Sequence, residues 1–186
     1  MVELGRVRYA ITTEESEARF NMDETIGGED IIVIGVTSEI AGEVIVDFDS
    51  PITSQVGMIR INVRTLETPN PFRNRALRSD ILESAQDQYE FAEFTPTSLD
   101  GLPDSAAIGD VVDFQITGDL NLHGVTRSLT FDAQVTLVSE ERIEGVASTT
   151  VLYQDFDIVV PMPPSVSFIG EEVLLEIDFV ALAVEE

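Results

Sequence analysis

Between Val112 and Leu137 the chain reads VDFQITGDLNLHGVTRSLTFDAQVTL, with apolar residues at alternate positions on both sides of one short turn. Successive strand side chains point to opposite faces, so Val112, Phe114, Ile116, Leu120 and Leu122 share one face of the first arm. Leu129, Phe131, Ala133, Val135 and Leu137 form the matching row on the second arm, against Thr130, Asp132, Gln134 and Thr136. The stretch is therefore read as a β-hairpin with one dry face and one wet face. A dry face must lie on something, and in a barrel that something can be a bound ligand.

The same alternation recurs along the chain. Val7, Tyr9 and Ile11 share a face, as do Ala18, Phe20 and Met22, then Val44, Val46 and Phe48, then Ile59, Ile61 and Val63. Ala92 and Phe94, a weaker segment from Ile143 to Leu152, and the row Leu175, Ile177, Phe179 and Ala181 complete the series. With the apolar run Ile31 to Val36, this predicts about nine or ten short strands, the pattern of an all-β barrel or sandwich. At 186 residues, with no internal repeat or linker, residues 1–186 are read as a single domain. One segment breaks the pattern. After Pro69-Asn70-Pro71 the spacing of Phe72, Arg75, Ala76, Ser79 and Leu82 predicts a short helix from Pro71 to Ser84, with Asn70 as its cap. The Pro161-Met-Pro-Pro164 stretch lacks ladder donors and is read as a loop at one barrel end, bordering or covering the opening.

Charge narrows the partners. Thirty-five acidic residues face ten basic ones, all Arg, for a formal net charge of −25. Binding a phosphate backbone requires a positive surface, so nucleic acid is excluded as a partner, and anionic membrane surfaces repel the chain. Its longest apolar run is too short to cross a bilayer as a helix, which argues against stable membrane insertion. The absence of Cys removes disulfides, thiolate metal sites and cysteine nucleophiles. The acidic, lysine-free composition suits export and equally suits a salt-rich environment. The expectation is an extracytoplasmic protein, periplasmic or secreted. MVELGRVRYAITTEES holds no apolar stretch of signal-peptide length, which fits either a cytoplasmic protein or an exported one whose leader is not in this chain.

No catalytic residue, metal or cofactor is expected. His123 is the only histidine, which leaves a zinc site dependent on carboxylates, and no serine sits in a G-x-S-x-G turn. Asp47 with Asp49, and Asp155 with Asp157, lie two apart in strand-like runs and so share a face, most simply the solvated one. No stretch matches the twelve-residue calcium loop. Against this acidic background Arg60, Arg64, Arg73, Arg75 and Arg78 fall within nineteen positions. Two readings stand: a local anion site built from guanidinium groups, or neutralisation of nearby Asp and Glu on a solvated face.

The stretch GDLNLHGVTRSLTFDA strongly resembles the hallmark hairpin of the YceI-like family, with its GDL-x-x-HGVT-x-x-x-x-x-D pattern. NPFRNRALRSDILES followed by YEFAEFTPTSLDGLP resembles the family's Arg-containing helix and the strand after it. The likeness covers most of the chain and is best from about Ile59 to Ala133. It departs from the family at Asn74, Ala76 and Glu15-Ser16, where relatives carry polar groups suited to placing a headgroup, and at Ala92, where relatives carry a larger aliphatic residue.

The resemblance implies a lipocalin-like antiparallel β-barrel with one short helix, binding, storing or transporting a long apolar lipid, a polyisoprenoid or isoprenoid quinone. The rows expected to line its interior are Phe20, Ile59, Ile61, Phe94, Phe114, Ile116, Phe131 and Phe179, with Ala18, Ala92, Gly118 and Ala133 leaving space between them. Arg73, Arg75 and Arg78, with His123, are the residues expected to meet a headgroup; His123 equally fits a role in packing and hydrogen-bonding its own turn. A homodimer is compatible with this reading. The competing reading, from a different class, is a ligand-free structural or protein-interaction barrel that is packed solid and presents an acidic surface. An enzyme acting on a lipid-linked substrate ranks behind both.

Overall fold

Residues 5–185 are described by a computed structural model. Among them, twelve strands follow in chain order: β1 (Arg6–Ile11), β2 (Glu17–Ile26), β3 (Glu29–Thr37), β4 (Ile40–Ala41), β5 (Glu43–Asp47) and β6 (Gln55–Val56). β7 (Ile59–Asn62), β8 (Phe91–Asp100), β9 (Val111–Leu122), β10 (Val125–Ser139), β11 (Arg142–Leu152) and β12 (Val166–Ala183) complete the set. One α-helix, α1 (Pro71–Ala76), lies between β7 and β8 and runs on into a π-helical turn, Leu77–Ile81.

The hairpin of β9 and β10 turns on His123 and Gly124, whose φ values of 52° and 75° are both left-handed. That is the type I′ geometry, whose twist matches that of the flanking strands. Its register runs unbroken from Leu122 opposite Val125 to Val112 opposite Val135, so the two apolar rows share one face. From β7 to β12 each strand pairs with the next, antiparallel throughout. The long β12 then pairs with β2 through its first part and with β1 through its last. β3 continues from β2, and β5 from β1. β4, between β3 and β5 in the chain, returns to β7 through Ile40 opposite Ile61, and Val36 bridges to Glu67. The sheet thereby curls into a lipocalin-like half-barrel rather than splitting into a sandwich, its two sides meeting at the isolated Val36–Glu67 bridge.

The strands carry the expected faces, with two differences of extent. β12 has eighteen residues, well over twice the alternating row from Leu175 to Ala181 visible in the sequence. Its register shifts between Ile169 and Val173, where Gly170-Glu171-Glu172 interrupts the alternation. The helix stops short of Ser84: the Leu82 amide donates to the Leu77 carbonyl, five residues back, and Glu83 at φ 50° turns the chain away. Asn70 caps its start, its side-chain oxygen accepting from the amides of Phe72 at 2.9 Å and Arg73 at 3.2 Å.

Two apolar clusters divide the interior. Tyr9, Val46, Phe48, Leu137, Ile143 and Ala181 pack together and seal one end of the barrel. A larger cluster, including Phe94, Leu120, Phe131, Val151, Phe156 and Val173, lies along the remaining length and reaches Leu77 beneath the helix.

Candidate functional site

Above the sealed end the barrel encloses a cavity of about 450 Å³. Small-molecule sites occupy roughly 300–1,000 Å³, so this is space for a ligand rather than a packing defect. Phe20 of β2, Ile59 and Ile61 of β7, Phe94 of β8, Phe114 and Ile116 of β9, Phe131 of β10 and Phe179 of β12 all line it. Alternation puts them there, because each strand turns every second side chain inward.

The space has two sources. Ala18, Ala92, Ala133 and Ala147 stop short of the axis. Three lining phenylalanines also fold back against glycines in the wall: Phe20 over Gly35, Phe94 over Gly118 and Phe179 over Gly145. Gly118 therefore contributes differently from the sequence reading. Its missing side chain is space already filled by the Phe94 ring, which meets Phe131 edge-on at 5.0 Å.

The mouth lies opposite the sealed end, between α1 and the Pro161–Pro164 loop. Asn70, Phe72, Arg73 and Ala76 border it on one side, and Val160, Pro161, Pro163 and Ser165 on the other. Phe72 is 84% exposed there, an apolar ring held at the entrance. The helix bearing it is tied down by Asn74, which accepts from the Thr68 amide at 2.7 Å and the Thr68 hydroxyl at 2.8 Å.

Of the four residues expected at a headgroup, Arg73 alone borders the cavity. Its Nη2 lies 3.0 Å from Oε2 of Glu24. Arg75 is exposed and Arg78 half-buried, both away from the lining. His123 lies in the wall outside the cavity, where Nε2 meets the Glu83 carboxylate at 2.8 Å and Nδ1 meets the Phe156 carbonyl at 3.1 Å. The Tyr89 ring packs on it, centroids 4.7 Å apart. Its surroundings make it a tie between the hairpin turn, the loop after the helix and the segment before the mouth.

Neutralisation accounts for most of the arginine cluster. Arg60 pairs with Glu93 at 3.1 Å over the Phe91 ring, and Arg64 pairs with Asp87 at 2.9 Å and Glu90 at 3.4 Å. Of the paired acids, Asp47 organises a turn. It accepts from Thr53 Oγ1 at 2.7 Å and from the amides of Ser50 and Asp49, and these bonds, the Thr53 one foremost, hold its carboxyl below the usual range.

Glu24 is the site residue that sequence reasoning missed. It continues the inward row Ala18, Phe20 and Met22 at the same parity, yet it is a carboxylate, 7% exposed. An acid on an apolar row was the available signal. Among the described residues no helix is long and apolar enough to cross a membrane.

The profile of the YceI-like domain matches residues 9–181. Protein YceI of Escherichia coli O17:K52:H18 is 30% identical over 137 residues, covering 70% of this chain and 66%, just under two thirds, of that protein. A UPF0312 protein of Shewanella baltica is 25% identical over 150 residues, 77% of this chain and 73% of the relative. Among solved structures, a polyisoprenoid binding domain from Saccharophagus degradans superposes with a TM-score of 0.73 at 15% identity, covering 96% of this chain and 99% of that one. BcnA of Burkholderia cenocepacia gives 0.73 at 13% identity, over 91% and 98%. These structural likenesses speak for the fold. The sequence profile, spanning nearly the whole barrel, places the chain in the YceI-like family.

Proposed function

We propose that the protein binds and carries a long apolar lipid, a polyisoprenoid or isoprenoid quinone, with its tail inside the barrel. The observation that carries this reading is the cavity: sealed at one end, open beside α1 and walled by hydrocarbon from at least six strands. The description of the Saccharophagus degradans domain as polyisoprenoid binding supports it. Each buried methylene contributes about 0.8 kcal/mol, so ten methylene equivalents contribute roughly 8 kcal/mol before the costs of association. Micromolar affinity needs about 8 kcal/mol net of those costs, so it takes a tail longer than ten methylenes, and a greasy tube needs no covalent step to hold a tail. We therefore read a binding protein rather than an enzyme. We also place its work outside the cytoplasm, a reading supported by the acidic composition without Cys or Lys.

Organic extraction of the purified protein followed by mass spectrometry tests this. The expected result is a stoichiometric prenyl lipid or quinone. Clean extracts from several hosts, together with no uptake of added prenyl alcohol, would overturn it in favour of an interaction module.

A further inference from the structure

We infer that the cavity selects a lipid whose polar end is uncharged, a hydroxyl or quinone carbonyl, over one ending in phosphate, with Glu24 as the selecting residue. The inference rests on the carriage reading above. Its ground is the Glu24–Arg73 pair at the mouth. The Glu24 side chain is 8% exposed and that of Arg73 20%, and they meet at 3.0 Å with no other side-chain hydrogen bond to either among the described residues.

Arg73 alone would be an anion receptor, since a guanidinium presents five donors in a fork suited to phosphate. Paired with Glu24 it is half of a neutral unit. A phosphate monoester brings a charge near −1.5 to −2 at pH 7. Seated at the mouth it would share one guanidinium with a carboxylate already there, two anions around one cation in a poorly hydrated place. Displacing Glu24 instead would leave a buried carboxylate without its partner. Arg75 and Arg78 lie outside the lining and bring no further positive charge to it. Arg19 and Glu176 also border the cavity, but alternation turns them to the outer face of β2 and β12, where they pair with each other at 3.5 Å. An uncharged head meets none of these penalties. A hydroxyl can donate to the second Glu24 oxygen, and a hydroxyl or carbonyl can accept from the remaining Arg73 N–H groups, with no change in charge.

Titration of the full chain with geranylgeraniol and with geranylgeranyl monophosphate, which share one tail, tests this by calorimetry. The alcohol is expected to bind at least tenfold more tightly. Equal or tighter binding of the phosphate overturns the inference and leaves carriage standing; binding of neither overturns carriage, and the inference with it. Glu24→Gln keeps the side chain's size and a bond to Arg73 while freeing the guanidinium charge, and it alters the net charge by one only. The preference is expected to shift at least tenfold toward the phosphate in this variant. A ratio unmoved by the substitution would show that overall charge, not the pair, does the selecting, and would overturn the assignment of Glu24.

Discussion

The Phe94 ring lies across Gly118, so close that a Cβ at position 118 would stand 2.7 Å from the ring's Cζ. The backbone crowds it as well, with the Thr95 carbonyl oxygen at 2.5 Å and Pro96 Cα at 2.8 Å. Rings can turn, but a strand at its own bulge cannot easily move, and β8 shifts register between Pro96 and Ser98. Gly118→Ala is therefore expected to cost about 3 kcal/mol, the upper end for overpacking. For a chain of this size that lowers Tm by roughly 6–12 °C. Thermal unfolding followed by circular dichroism checks it; a drop under about 2 °C would mean that the wall yields.

How far the sequence speaks for itself shows in these same residues. The inward rows were legible because a period of two admits one assignment per strand, and a slip by one residue would expose every phenylalanine. The turn at His123-Gly124 was legible from the rows on either side of it. What escaped were features made by distant segments meeting. Gly118 looked like vacant space because Phe94, in another strand, was needed to fill it. Whether Arg73 was an anion site or a neutralised charge stayed open because its partner Glu24 lies 49 residues away. β4 and β6, at two residues each, are too short to show any period, yet β4 carries the barrel back to β7.

Tyr9 gives a pH dependence whose sign follows from its burial. Its side chain is wholly buried and its hydroxyl donates to the Glu140 carbonyl at 3.0 Å. Burial first, and then the negative charge of Glu140, push its pKa from 10.0 up to about 12. In the unfolded chain the hydroxyl ionises near 10, so this contribution to stability is complete below pH 10 and is lost as pH rises from 10 to about 12. Tyr9→Phe is expected to cost about 1 kcal/mol at neutral pH, for the lost hydrogen bond. It is also expected to remove this alkaline decline, so the variant closes on the wild type between pH 10 and 12. Denaturant unfolding at pH 8 and at pH 11.5 reads the difference; a gap of constant size would assign the alkaline loss to other groups.

His123 separates structure from ligand contact. Both ring nitrogens meet acceptor oxygens, of Glu83 and Phe156, and the ring is outside the cavity lining. His123→Ala is expected to destabilise the fold by roughly 2 kcal/mol, for the lost hydrogen bonding of the ring, its packing on Tyr89 and a left-handed position that Ala tolerates poorly. Prenyl-alcohol affinity, measured well below the variant's unfolding temperature, is expected to stay within about twofold of the wild type. A tenfold loss of affinity in a variant that remains folded would instead put His123 in contact with the ligand.

Gly35 offers the sharpest test of the open cavity, because its crowding differs in kind from that of Gly118. The three atoms nearest to a Cβ built there all belong to the Phe20 ring, with no backbone atom among them. Gly35 and Phe20 are directly opposed on β3 and β2, and Phe20 already lines the cavity. Gly35→Ala should therefore leave the strands in place and swing the ring off the wall into the lumen, occupying room that two or three methylene equivalents of a tail would otherwise fill. At about 0.8 kcal/mol per methylene, binding of geranylgeraniol should weaken on the order of ten- to fiftyfold. Unfolding should move far less than for Gly118→Ala. Unchanged affinity together with unchanged stability would mean that the ring finds room elsewhere in the wall, and that the lumen beside Phe20 is not where the tail lies.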